Sequence, residues 1–351
     1  MIDFRYHLVS IVAVFLALAI GIVVGSTALK PAVLSGLQKT ADAEKKRIDA
    51  LYAQNNLNKQ QIAADQAYAQ AGEHQMLSGL LDGQRVVLVT APGFPGGVVT
   101  GVTSALAEAG ATVSGQVQLQ SQFFATGTQS DLDTLNREET PAGVTLRPGT
   151  PPAQAAELIA SAILTKNGPS DPPAGVADAA GKSVLSAYAA GGFLSTSGNP
   201  AARATLAVVI IPGTPPATSA SGESQTLVSV AQQLNLAGNG TVMAGQVSGS
   251  GPGSAIDVLR SSGRADHFSS VDDADTTIGQ IIVAQALYEQ ATAGRSGNYG
   301  SLASATAAAP SPAPAPSPSS TASATASQSA NTKHTPRRSA HPDTTASAGA
   351  R

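Results

Sequence analysis

An uninterrupted run of apolar and small residues from Leu8 to Leu29 constrains this chain more than any other feature. As a helix, its roughly 22 residues span about 33 Å, enough to cross the ~30 Å hydrocarbon core of a bilayer. Secretory signals have shorter apolar cores, about 7–15 residues, so the run favours a retained membrane anchor over residues 1–31. The small residues Ser26-Thr27-Ala28 leave a cleaved signal as the alternative, and a buried core helix is the third.

The charges that flank this run favour one orientation in the membrane. Arg5 precedes the run, whereas several lysines and an arginine follow it between Lys30 and Arg47. By the positive-inside rule, this excess would place the C-terminal side in the cytoplasm.

Residues 32–82 carry a sparser apolar pattern that is typical of a long helix. Stepping alternately three and four residues along the chain selects mostly apolar positions, which predicts a coiled-coil seam and a homo-oligomer. The seam positions are Leu34, Leu37, Ala41, Glu44, Ile48, Leu51, Asn55, Asn58, Ile62, Asp65, Ala69, Gly72 and Met76. Asn55 lies at an a-type position, where a polar residue can fix the register. The alternative is a solvated connecting helix.

Short runs of branched apolar residues alternate with helical patterns over residues 83–300. Four such runs predict buried strands. They are Arg85–Pro92, Thr112–Leu119, Thr205–Gly213 and Thr241–Val247. Helical patterns lie between and after them, near 94–110, 153–165, 176–190, 224–236 and 276–293. The sequence therefore predicts an α/β domain whose parallel sheet is covered by helices on both faces.

Residues 301–351 consist largely of Ala, Pro, Ser and Thr. Such a composition buries too little apolar surface to fold, so we expect a disordered low-complexity tail. The tail is either a spacer through a crowded polymer layer or without function.

The composition of the chain argues against several classes of function. The net charge is −3 and no basic stripe interleaves with aromatics, which gives no case for nucleic acid. The chain has no cysteine, so disulfides, thiolate metal sites and cysteine nucleophiles are excluded. No Gly-x-Ser-x-Gly or His-Glu-x-x-His motif occurs, and histidines are few. We therefore expect no catalytic residues, no bound cofactor and no enzyme activity.

Two glycine-rich turns, Ala91–Gly97 and Gly249–Ser254, each follow a predicted strand and open a predicted helix. Backbone amides at such a helix N-terminus can bind phosphate. Both turns lack the Lys-Ser/Thr of a P-loop, and no acidic residue stands where a dinucleotide fold needs one. Ordinary strand-to-helix turns therefore explain them better than a nucleotide site.

An acidic cluster, "VDDADTT" with Asp272, Asp273 and Asp275, precedes the last predicted helix. Aspartates at this position favour a helix cap over a metal site.

The residues His74 and Met76 are the candidate metal ligands. They place an imidazole and a thioether close together in sequence, a pair that suits copper, above all Cu(I). On a regular helix the two side chains point about 200° apart, so fraying near Gly72 or Gly79 would be needed for them to converge. A helix-end histidine and a seam methionine are the alternative.

Four segments together resemble the actinobacterial copper transporter family, MctB type. They are "YHLVSIVAVFLALAIGIVVGS" at the start, "LYAQNNLNKQQIAADQ" in the helical segment, "RVVLVTAPG" in the first strand, and "VDDADTTIGQIIVAQALYEQATAGRSGNYG" near the end. The resemblance covers about residues 1–300. It implies an envelope protein for copper efflux or tolerance, described as pore-forming, with copper as the transported ion. It also implies a single-pass topology with the domain outside the cytoplasm, against the charge count.

The resemblance implies a second role as well. Similar proteins are implicated as envelope regulators of daughter-cell separation that act on peptidoglycan hydrolysis with a cell-division or hydrolase partner. The alternative function is therefore a non-enzymatic coiled-coil scaffold. The residues oppose a barrel pore, because the predicted strands are solidly apolar and separated by helices. A pore would need several copies, which "GIVVG" (Gly21–Gly25) could bring together.

Overall fold

A computed structural model describes residues 4–169, 171–214, 221–263 and 267–311, without the side chains of residues 27–34 and 221. The helices are α1 (Phe4–Leu77), α2 (Gly96–Glu108), α3 (Ser121–Phe124), α4 (Gln129–Glu139), α5 (Pro151–Ile163), α6 (Ala179–Ala190), α7 (Ser221–Ala237), α8 (Ala255–Ser261) and α9 (Thr277–Ala293). The strands are β1 (Arg85–Thr90), β2 (Thr112–Leu119), β3 (Leu194–Gly198), β4 (Leu206–Ile210), β5 (Gly240–Ala244), β6 (Ser269–Val271) and β7 (Asn298–Tyr299). Most of the predicted tail, residues 312–351, lies outside the described residues.

The strands of the described residues form one sheet in the order β3-β2-β1-β4-β5-β6-β7. Each pairing is parallel except that of β2 with β3, which is antiparallel and sets Gly115 opposite Gly198. The chain moves outward from β1 through β2 to the edge strand β3, and then crosses to the other side of β1 to form β4. The carboxyl ends of β1 and β4 therefore flank a topological switch point, the place where open α/β sheets bind ligands.

Both faces of the sheet are covered. On one face, the end of α1 packs with α2 and α9 over side chains such as Leu88 and Val208. On the other face, α5, α7 and α8 pack over Val89, Val209 and Met243. Central strands are consequently buried along their whole length, which explains why β1 and β4 are continuous apolar runs rather than alternating ones.

The predicted α/β fold with a mostly parallel sheet is confirmed. The four predicted strands became β1, β2, β4 and β5, and the predicted helices became α2, α5, α6, α7 and α9. The sequence did not predict β3, β6 or β7. These edge strands are short and polar, "LSTSG", "SSV" and "NY", and carry little of the apolar signal on which strand prediction depends.

The apolar N-terminal segment and the segment that follows it form one helix, α1, of 74 residues. Its C-terminal end packs against α2 and α9, where Leu77 and the following Leu81 are fully buried. Ala69, a position of the predicted seam, is also buried in this junction, with 5% of its surface exposed. The domain thus covers the seam at Ala69, whereas the seam position Met76 stays 39% exposed, and the seam positions from Leu37 to Ile62 lie clear of the domain.

A buried ion pair joins α8 to the far edge of the sheet. Arg260 Nη1 lies 2.7 Å from Asp272 Oδ2, and the two side chains are 3% and 0% exposed. Arg260 also donates from Nη2 to the carbonyl of Tyr299 and from Nε to Ser270 Oγ, at 2.8 and 2.9 Å. Asp272 Oδ1 accepts from the amide of Ser301 at 2.8 Å. This network holds the short strands β6 and β7 in place, which their few apolar side chains cannot do.

We expect Arg260→Ala to destabilise the domain by about 3–5 kcal/mol, because removing one partner leaves a buried, uncompensated charge. Arg137→Ala is the control, since its pair with Asp133 is 70% and 44% exposed and should contribute less than about 1 kcal/mol. Urea unfolding of both variants measures the difference. Equal losses of unfolding free energy in the two variants would contradict the conclusion that Arg260 holds β6 and β7 in place.

Candidate functional site

The first part of α1 has the length and composition of a membrane span. Phe4–Ser26 has a mean hydropathy of 2.9, and none of it is buried against the rest of the chain. Side chains such as Phe15, Leu16 and Ile22 are each more than 60% exposed. Within the described residues it is the helix that satisfies these criteria, and a signal sequence would satisfy them too.

The end of α1 carries the candidate metal ligands. His74 contacts Glu108 on α2 through its Nδ1 atom, with 80% of the His74 side chain exposed. Met76 is 39% exposed. Since α1 is unbroken through Leu77, the fraying that convergence would require does not occur before that residue, and the two side chains stay about 200° apart around the helix axis. The structure therefore brings His74 to Glu108 rather than to Met76.

Two carboxylates accompany the imidazole at this junction. Partial burial raises the pKa of Glu73, and the negative charge of Glu108 raises it further. Even so, no group of three or more His, Cys, Asp or Glu side chains is arranged to hold a metal ion within the residues the structure describes. Other soft donors lie elsewhere, with Met243 fully buried in β5 and His267 exposed on a loop.

The two glycine-rich turns meet at the switch point of the sheet. Gly93 of the first turn and Gly249 and Ser254 of the second line a cavity of about 280 Å³ at the carboxyl ends of the central strands. Glu223 is the charged residue among its described lining, and burial raises the pKa of this carboxyl group. A carboxylate at this position repels phosphate when it is ionised.

The acidic cluster does not cap α9, so that prediction was wrong. Thr276 is the N-cap, and its Oγ1 accepts a hydrogen bond from the amide of Gly279 at 3.0 Å. Asp272 instead pairs with Arg260. Asp273 is 9% exposed, and its Oδ1 atom is buried without a hydrogen-bond partner in the described structure. Its burial raises the pKa to about 6, and the charge of Asp272 adds to the shift.

A family model described as "Copper transport outer membrane protein, MctB" matches residues 1–310. The chain belongs to the MctB family. Copper transporter MctB of Mycobacterium tuberculosis and that of Mycobacterium bovis are each 30% identical to it over 306 residues, 86% of this chain and 96% of theirs. Copper transporter MctB of Mycobacterium leprae is 30% identical over 319 residues, 87% of this chain and 98% of its own.

Membership of the MctB family confirms the resemblance predicted from the sequence. Together with the apolar start of α1, the family description indicates a membrane-associated envelope protein with a role in copper transport. The match also extends over the remainder of α1, residues 32–77, here called the rod, and over the α/β domain, so it is not limited to the apolar segment.

Sequence reasoning missed Glu108 as the neighbour of His74, because 34 residues separate them and no local motif links them. It also missed Glu223, an isolated acid in a polar helix start. Glu108 is placed beside His74 by the packing of α1 on α2, and Glu223 is placed beside the glycine-rich turns where they meet at the sheet edge. Both placements depend on the folded chain.

We expect Asp273→Asn to stabilise the protein at neutral pH. The folded-state pKa of about 6 lies above the reference value of 3.8, so protonation of Asp273 contributes stability that is fully present below that reference value and lost as the pH rises through about 6. The variant stays neutral and should be more stable than wild type by on the order of 2–3 kcal/mol near pH 8, and equal to it near pH 3.

Urea unfolding at several pH values tests this, with Asp275→Asn as the exposed control. A constant difference between wild type and Asp273→Asn across the pH range would show that Asp273 is not the titrating group.

Proposed function

We propose that this protein acts in copper efflux or copper tolerance as an envelope protein anchored by α1, with the α/β domain outside the cytoplasm. The observation that supports the proposal most directly is the family match over residues 1–310, which includes the membrane-length helix. The role is one of transport, and copper is its cargo. The orientation follows the family resemblance rather than the count of flanking charges.

A conducting path would need several copies, because one membrane helix per chain cannot enclose a channel. Gly21 and Gly25 favour contact between such helices, since nothing lies within 4 Å of either position where a Cβ would stand. Small residues four apart let two helix backbones approach closely in a bilayer. The pore is therefore an oligomer in this proposal.

The rod supplies the second contact between copies. Its seam positions Leu37, Ile48, Leu51 and Ile62 are 48–63% exposed in a single chain, which is unfavourable for apolar side chains in water. A parallel coiled coil would bury them, with Asn55 fixing the register. Because the domain covers Ala69, the coiled coil ends before that residue.

Copper binding is proposed for His74 and Met76, with Glu108 as a further neighbour. Imidazole and thioether together suit copper. In one chain the two side chains point in different directions, so a shared ion would need a donor from Glu108 or from a second copy. This leaves His74 as the central ligand of the proposal.

Deleting the gene in its native host should raise cell copper and lower growth at high copper. Full-length protein should restore both, whereas the double variant His74→Ala/Met76→Ala should fold but fail to restore tolerance. His267→Ala is the matched control, because that histidine is exposed and distant in sequence from the rod. Cell copper and growth are measured in the same strains.

Chained cells with normal copper content would contradict this proposal and favour the scaffold role in cell separation. Full tolerance in the double variant would show that His74 and Met76 are not the ligands.

We expect full-length protein to sediment as an oligomer in detergent and Leu51→Asp to weaken that assembly, because a charge would enter the buried seam. Leu57→Asp is the matched control, since Leu57 is 59% exposed but lies off the seam. Analytical ultracentrifugation distinguishes them. A monomeric wild type, or equal behaviour of the two variants, would exclude association through the seam.

A further inference from the structure

A second cavity lies beside the switch point, at the same carboxyl edge of the sheet. It has a volume of about 540 Å³ and is enclosed by α3, the start of α4 and the N-terminal ends of α5 and α7. This size is within the range of small-molecule sites. Glu223 is shared with the smaller cavity.

One wall of this cavity is an aromatic ring with a fixed orientation. Phe124 packs edge-to-face against Phe123, with ring centroids 5.4 Å apart and planes at 66°. Phe123 is 1% exposed, whereas Phe124 is half-buried and lines the cavity. The buried partner therefore holds Phe124 in place as a flat apolar surface for a ligand.

The other walls carry polar groups with unused hydrogen-bonding capacity. Thr226 Oγ1 donates to the carbonyl of Gly222 at 2.8 Å, and Ser229 Oγ donates to that of Gln225 at 3.0 Å, so both hydroxyl oxygens can still accept. The side-chain amides of Gln129 and Gln225 make no hydrogen bond within the described structure. Donors and acceptors thus surround the ring.

The charge in the cavity is that of Glu223. Among the described lining residues it is the ionisable one, and its carboxylate has no hydrogen-bond or ion-pair partner among the described residues. An uncompensated, partly desolvated carboxylate favours a cation and disfavours phosphate. The described lining holds no imidazole or sulfur donor, so these residues do not suit copper.

We propose that this cavity binds an amino sugar. The hydroxyl groups of a sugar match the amides and hydroxyls of α4 and α7, its C–H face packs on Phe124, and its ammonium group pairs with Glu223. An entirely apolar ligand would leave the polar groups unsatisfied, and a simple amine would leave the ring and amides without a partner. The inference does not rest on the proposed role in copper transport.

The test is isothermal titration calorimetry. Full-length protein in lipid nanodiscs is titrated separately with glucosamine, N-acetylglucosamine and methylammonium, and the three dissociation constants are compared. Glucosamine should bind at least about tenfold more tightly than either of the others, because only it presents both the ring and the charge. Glu223→Gln should remove that preference, and Gln225→Ala should weaken glucosamine several-fold. Glu138→Gln, an exposed acid outside the cavity, should bind like wild type.

Three outcomes would overturn the proposal. They are no saturable binding of glucosamine up to about 50 mM, equal affinity for glucosamine and methylammonium, and unchanged binding in Glu223→Gln with the fold intact by circular dichroism. Because copper tolerance is measured separately, failure here leaves the transport proposal unaffected.

Discussion

The contact between the end of α1 and the sheet domain is the constraint on which the rest of the molecule depends. Leu77 and Leu81 are buried where α1 meets α2 and α9, so the helix that carries the membrane segment is part of the domain's own core. An α/β domain on a flexible linker would be independent of its anchor. Here, any force or rotation applied to the N-terminal part of α1 is transmitted to the sheet through packed side chains.

This junction also places the candidate metal ligands and the predicted seam on one element. His74 and the end of the seam both lie within two turns of Leu77. The domain covers the seam at Ala69 and supplies Glu108 beside His74. The same packing that covers the predicted seam at Ala69 therefore defines the surroundings of His74.

The sequence predicts the centre of this fold well and its periphery poorly, for physical reasons. β1 and β4 are buried on both faces, so their sequences are runs rich in Val, Ile and Leu that predict strands directly. β3 exists because β2 offers a pairing edge, and β6 because Gln290 and Arg260 satisfy its buried serines. Such strands are stabilised by distant partners, and a local pattern does not contain that information.

The candidate sites follow the same division. Glycine-rich turns and the His74/Met76 pair are local motifs and were visible in the sequence. The neighbours that decide their chemistry, Glu108 and Glu223, come from other elements and become visible only in the folded chain. The acidic cluster was misassigned because Thr276 occupies the N-cap position of α9 and Asp272 pairs instead with Arg260, twelve residues upstream.

Because α1 continues without a break from Phe4 to Leu77, its length fixes the distance between its apolar N-terminal segment and the sheet domain. At about 1.5 Å per residue, the stretch from Ser26 to Ala69 is roughly 65 Å long, and in the proposed anchored arrangement this is the distance it would set between the bilayer surface and the sheet domain. Inserting or deleting one heptad would change that distance by about 10 Å while preserving the face of the helix, so the length of α1 would fix how far from the membrane the domain can reach.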